Sequence, residues 1–415
     1  MNRITRRDFL RVTALGGVAT FLAACGSSEA SPFPSASASA SGQRSASPSL
    51  PSASPAESAS VSPSAPPTPS PSAGPSLREQ IAALLIVGFR GSDLADAGWV
   101  RTALAEHGLG GVILFDRDQR TGGSRNVISP AQVRRLTGEL RAAAGDRPIL
   151  IGVDQEGGVV TRLSPAHGYP AVQSEATIGA GTVAAARTWA KALAGTLADA
   201  GFNLNFAPVV DLNVNPDSPA IGALDRSFSA DPDVVVRMAT IEIDAHRAAG
   251  VRTTLKHFPG IGSSTTNTDF GVADVTKTWT RAELEPFRRL VAAGEADLVM
   301  AGHVVNRTLD ADHPASLSRA IVTDLLRGEL GWDGVVVTDD LQAAAITQAF
   351  GADEAILLAV EAGNDLLLFA NQQVYTSAIV DRAIRVVADA VSAGRLDRSR
   401  IEEAYGRVQR VIGGG

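Results

Sequence analysis

The chain has 415 residues, 45% of them hydrophobic and 5% aromatic, which is enough apolar material for a large core. It carries 37 basic and 44 acidic side chains, and beyond residue 24 the balance is 33 to 43, a net of −10. That sign argues against nucleic acid as a partner, which calls for a basic face, and against a polybasic membrane-surface protein. A single cysteine, Cys25, excludes an intrachain disulfide framework and any multi-cysteine zinc or iron–sulfur site.

Residues 1–24 read as an export signal. Thr5-Arg6-Arg7-Asp8-Phe9-Leu10-Arg11 precedes the apolar run Val12 to Ala24, the charged-then-apolar order of a secretory signal. The run is too short, and too interrupted by Gly16-Gly17, for a spanning helix. Paired arginines followed by Phe-Leu resemble a twin-arginine signal, and an ordinary secretory route stays open beside it. Leu22-Ala23-Ala24-Cys25-Gly26 resembles a bacterial lipoprotein box. This resemblance implies a lipidated Cys25, a membrane anchor and an extracytoplasmic protein. In the following segment, 25–75, Ser, Pro, Ala and Gly dominate after Cys25, and the large apolar residues are Phe33, Leu50 and Val61. Such a stretch buries too little surface to offset its ordering entropy, and proline stiffens it, so an extended disordered linker is expected.

From residue 76 to 413 short apolar runs alternate with helical-period segments. The runs are Leu84–Phe89, Gly111–Phe115, Ile149–Asp154, Leu204–Asp211, Val251–His257, Leu298–His303, Val335–Asp339 and Asp365–Phe369. Between them, Ala131–Ala144, Val183–Ala200, Val234–Ala249, Arg281–Ala293 and Ala355–Ala362 carry apolar residues at three- and four-residue spacing, and Gly201, Gly250, Gly294 and Gly363 follow four of them. Continuous apolar strands separated by helices imply a parallel sheet covered on its outside, and eight such units suit an α/β protein of the (β/α)8 TIM-barrel type in a single globular domain. A doubly wound open sheet is the alternative, but no G-x-G-x-x-G or P-loop stands in the right context.

In a parallel barrel the C-terminal strand ends face one mouth. Here those ends are polar: Asp154-Gln155-Glu156, Asp211, Lys256-His257, His303 and Asp339-Asp340. Lys256 is one of only three lysines in the chain. One polar strand end is commonly a helix cap or a loop salt bridge, whereas five on one rim point to a catalytic mouth. Metal-dependent hydrolysis would call for an H-x-H or H-E-x-x-H arrangement, and neither occurs among the six histidines. Glycoside hydrolysis uses paired carboxyl groups and charged donors and acceptors for sugar hydroxyls, which this rim can supply.

Lys256-His257-Phe258-Pro259-Gly260-Ile261-Gly262 closely resembles the K-H-F-P-G-H-G segment of glycoside hydrolase family 3, in its bacterial β-N-acetylhexosaminidase branch. Val153-Asp154-Gln155-Glu156-Gly157-Gly158 with Arg162, Phe206-Ala207-Pro208-Val209-Val210-Asp211, Arg226-Ser227-Phe228 and Gly331 to Leu341 match further family motifs in order. The resemblance implies that Asp339 is the nucleophile of a retaining mechanism. It implies that Asp154, Arg162, Arg226, Lys256 and His257 bind the sugar, and that no metal or organic cofactor takes part; His303, at the end of the sixth run, is a further candidate substrate-binding residue. It points to terminal β-linked N-acetylglucosamine in muropeptides or cell-wall fragments as substrate, and a monomer is expected. Family 3 glucosidases usually carry a second domain, for which the chain end leaves no room, and this favours the N-acetylglucosaminidase branch.

One motif departs from the pattern. The branch places a D-x-H dyad in the loop after strand five, where this chain has Asn267 and Asp269, and Ile261 replaces a second histidine. Asp269 is then the favoured acid/base, since a carboxyl can serve if its surroundings raise its pKa. His303 as a group reaching the leaving group, an inactive muropeptide-binding lipoprotein, a family 3 enzyme for another sugar, and a metal-dependent amidohydrolase remain the alternatives.

Overall fold

The computed structural model describes residues 74–413. The export segment, Cys25 and the linker up to residue 73 lie outside the described residues. The described fold opens on a capping box, in which the Ser76 hydroxyl accepts the Glu79 N–H and the Glu79 carboxylate accepts the Ser76 N–H.

The barrel strands are β1 (Leu85–Gly88), β2 (Gly111–Ile113), β3 (Leu150–Val153), β4 (Leu204–Asn205), β5 (Arg252–Phe258), β6 (Leu298–Ala301), β7 (Val335–Thr338) and β8 (Leu367–Phe369). Each pairs in parallel with the next from β1 to β7, and β1 pairs with β8 with Leu85 opposite Leu367. The last seam closes at one bridge, Val337 opposite Leu366, where Leu366 N donates to Val336 O and Thr338 N to Leu366 O, both at 3.0 Å. This is the (β/α)8 barrel the alternation implies. Strands covered on both faces need apolar residues at every position, which is why the runs are continuous rather than alternating.

Among the described residues seven longer α-helices surround the sheet: α1 (Pro130–Ala144), α2 (Val183–Ala200), α3 (Pro232–Ala248), α4 (Glu285–Ala292), α5 (Ala352–Ala362), α6 (Ile379–Ser392) and α7 (Arg398–Gly413), and a ten-residue π-helix, Ala320–Glu329, connects β6 to β7. Side chains of Ser129, Thr182 and Asp231 cap the first three by accepting backbone N–H groups. Gly201 and Gly363 end α2 and α5 at φ of 86° and 110°, a left-handed conformation that costs a side chain-bearing residue.

Most runs trim by a residue or two at their ends, and two expected elements are broken internally. The run Leu204–Asp211 is regular strand only over Leu204–Asn205. Pro208 has no N–H to give a ladder, so the chain continues beside β5 through scattered bonds such as Val210 N to Lys256 O at 2.9 Å. The helical stretch Arg281–Ala293 is a 3₁₀ turn followed by α4, because Pro286 fits only the first turn of an α-helix.

Under the closing seam lies Asp365, whose carboxylate accepts Val336 N at 3.0 Å. It is paired with Arg327 at 2.6 Å and with Arg400 and Arg407 of α7 at 3.0 and 3.4 Å.

Candidate active site

Strand ends bring the polar residues together. Asp154 follows β3 directly, and the chain then turns into a small antiparallel hairpin, Gln155–Gly157 with Val160–Thr161. In extended backbone, side chains two apart share a side, so Asp154 and Glu156 reach the same cation. Lys256 Nζ lies 2.8 Å from Asp154 Oδ1 and 2.6 Å from Glu156 Oε1. Gln155 points the other way and is buried; its amide accepts the N–H groups of Arg162 and Leu163, which fixes the arrival of Arg162.

Arg226 forms a two-pronged pair with Glu156 at 2.7 and 2.8 Å and donates to Ala220 O at 2.8 Å. Its Nη2 lies 3.4 Å from His257 Nε2. Asp211, fully buried, takes His257 Nδ1 at 2.7 Å, the His257 backbone N–H at 3.1 Å and Ile261 N at 2.8 Å. Arg162 stands 3.8 Å from Asp154 and 3.9 Å from Asp116, over the ring of Phe115. Asp154, Arg162, Arg226, Lys256 and His257 therefore belong to one connected network.

Charge in this network is mutually sustained. Burial alone would raise the Glu156 carboxyl, but the Arg226 and Lys256 cations hold it far below the ordinary range. Burial alone would lower the Lys256 ammonium, and Asp154 and Glu156 outweigh it, so the amine stays charged.

Asp339 follows β7 and is half-buried. Its Oδ1 accepts Asp340 N at 2.8 Å, and its own N–H donates to Ala301 O at 2.9 Å. Burial pushes its carboxyl up, but the His303 and His257 rings, the Asp340 N–H and Lys256 together hold it below the usual range. Asp340 does the capping: its Oδ1 accepts Gln342 N at 3.1 Å and Ala370 N at 2.9 Å, tying β7 to β8. Burial pushes Asp340 up to about 7. His303 stands behind this turn, 1% exposed. Its Nε2 lies 2.8 Å from Asp340 O and its Nδ1 2.7 Å from the Ser316 hydroxyl, so neither ring nitrogen is left for a sugar hydroxyl or a leaving group.

Asp269 sits on the loop 259–278 after β5 and is half-buried. Burial first, then the Asp339 charge, push its carboxyl up to about 6, against the opposing pull of Arg226 and His257. The loop is docked through backbone: Thr268 O accepts Ala345 N at 3.1 Å, and Asp269 O accepts Ala344 N at 3.4 Å and the Gln373 amide. Asn267 Oδ1 accepts Asp269 N at 2.9 Å.

Glu156 and Asp211 are central here; the sequence places both among the polar strand ends, inside motifs quoted for the resemblance, but assigns neither a role. The spacing of Glu156, two residues past Asp154, was the readable signal.

Residues 76–411 match the glycosyl hydrolase family 3 N-terminal domain. The chain is 31% identical over 345 residues to Beta-hexosaminidase A of Pseudoalteromonas piscicida, covering 74% of this chain and 54% of that protein. A solved family 3 beta-N-acetylglucosaminidase from Paenibacillus sp. FPU-7 is 36% identical, with a TM-score of 0.73, over 81% of this chain and 62% of that one. The solved Beta-N-acetylhexosaminidase from Beutenbergia cavernae is 33% identical, with a TM-score of 0.72, over 81% of this chain and 98% of that one. The chain thus spans about half to two thirds of the first two proteins and nearly all of the third. With the motifs, the barrel and the matched span in agreement, this chain belongs to glycoside hydrolase family 3.

Proposed function

We propose that this protein is a retaining β-N-acetylhexosaminidase that removes terminal β-linked N-acetylglucosamine. The observation that carries the reading is a pair of carboxyl groups at one barrel mouth, Asp339 held low and Asp269 raised, beside the Asp154–Lys256–Glu156–Arg226 network. Two acids pushed apart in proton affinity divide into nucleophile and proton donor.

In the first step an Asp339 oxygen attacks C1, the C1–oxygen bond breaks, and the Asp269 proton passes to the departing oxygen. In the second, Asp269 takes a proton from water, the water oxygen attacks C1, and the Asp339 ester bond breaks. Asp154 and Arg162, both partly exposed, offer an acceptor and donors to the sugar hydroxyls. Lys256 holds Asp154 in place through their ion pair, and Arg226 and His257 brace that pair from behind through Glu156 and Asp211. His303 acts through the Asp340 carbonyl, fixing the turn that carries Asp339.

Cell-wall fragments as substrate, export, lipidation at Cys25 and a monomeric state complete the proposal. The lipoprotein-box residues Leu22 to Gly26 support the anchor. Two measurements test it. Release of phenol from an aryl N-acetyl-β-glucosaminide, compared with the β-glucoside, separates the hexosaminidase from a sugar-binding protein and from a glucosidase. Metabolic labelling with an alkynyl fatty acid should mark the wild type and leave Cys25→Ala unmarked, and equal labelling of the two would remove the anchor.

A further inference from the structure

We propose that Phe270 forms the platform on which the leaving sugar ring rests, so that the site selects oligosaccharides through the apolar face of the aglycone. This rests on Asp269 as the proton donor. Phe270 follows Asp269 directly and is 61% exposed, more than any other large hydrophobic residue among the described residues.

Its backbone is nevertheless fixed. Phe270 N donates to Asn267 O at 3.1 Å, and the two preceding carbonyls are taken by Ala345 N, Ala344 N and the Gln373 amide. Val374, the residue after Gln373, is 43% exposed. Val272, on the loop itself, is 42% exposed. Apolar side chains held open at the edge of a charged mouth form a surface suited to a ligand rather than to the core.

The chemistry of the reaction names the occupant. The group that Asp269 protonates is the oxygen joining the two sugars, so the leaving ring begins one bond from that oxygen. The next residue, its Cα about 3.8 Å along the chain, is within reach of it. A pyranose presents polarised C–H bonds on its face, and the π face of an aromatic ring is negative, so the two attract.

The test compares the full chain with Phe270→Ala and Phe270→Tyr on two substrates. One is N-acetyl-β-glucosaminyl fluoride, whose leaving group is a single atom; the other is the β-1,4-linked N-acetylglucosamine disaccharide. In Phe270→Ala the ratio of kcat/KM for the disaccharide to that for the fluoride should fall about tenfold, chiefly through KM, and Phe270→Tyr should restore it to within about twofold. An unchanged ratio, or equal losses on both substrates, overturns the platform while leaving the hydrolase reading in place. Wild-type cleavage of the fluoride alone also overturns the platform. Cleavage of neither substrate by the wild type removes the hydrolase reading and the platform together.

Discussion

In the pocket wall, Asp154, Glu156, Lys256 and Arg226 stand on strand ends or the turns beside them, and each charge is paired with another. In the loop after β5, Thr268 and Asp269 are held by backbone bonds to Ala345 and Ala344 and by the Gln373 amide, and burial with the Asp339 charge pushes the Asp269 carboxyl up. The wall is set as soon as the barrel closes, since breaking one pair leaves a buried charge unmatched. Around Asp269 the loop is held by backbone and amide hydrogen bonds instead of buried ion pairs, so its place depends on docking rather than on charge pairing. On the proposed reading, recognition is built on the ion-paired wall and proton transfer on the hydrogen-bonded loop.

The largest test of this contrast is at Asp339, the proposed nucleophile. Asp339→Asn should lower kcat on the order of 10⁴-fold while the folded protein still binds N-acetylglucosamine, because the wall is untouched. Binding lost together with turnover would show that the two parts are not separable. Next comes the proton donor. Asp269→Ala should lower turnover of a substrate with a poor leaving group by roughly 10²- to 10⁴-fold and affect an activated aryl substrate far less. Asp269 must be protonated in the first step, and its carboxyl is pushed up to about 6. The wild-type kcat/KM should therefore fall as pH rises past that value, and the alanine variant should lose that limb; an unaltered pH profile assigns the proton to another group. The smallest effect is on the wall itself. Glu156→Gln leaves Lys256 and Arg226 buried with one anion fewer, and should destabilise the fold by about 3–5 kcal/mol in chemical denaturation. Because the Glu156 carboxyl is held below its ordinary value of 4.5, this difference should be full above that pH and shrink as pH falls through the lowered range.

The barrel was legible because a sheet covered on both faces leaves an unmistakable run of apolar residues, and eight such runs leave few architectures. The errors came from proline. Pro208 stands inside an apolar run that periodicity reads as strand, and Pro286 inside a run that reads as one helix, although the missing N–H breaks both. The mouth residues were readable as polar strand ends. Two things were not. Glu156 looked like part of a motif rather than the shared partner of Lys256 and Arg226, because pairing across β3 and β5 is set by register. The docking of the Asp269 loop runs through carbonyls and N–H groups that every residue carries, so it leaves no residue signature. Likewise His303 reads as a reactive group by type, and only its two partners, Ser316 and the Asp340 carbonyl, show that its nitrogens are engaged.

The carboxylate of Asp365 lies beneath the seam between β7 and β8, and two of its three arginines come from α7. A chain cut after residue 397 would keep each residue of the mouth yet lose Arg400 and Arg407, leaving Arg327 as the one arginine of the three beside Asp365. The last helix described is thus tied to the seam beside the strand whose end carries Asp339, so a change in α7 reaches the mouth through Asp365.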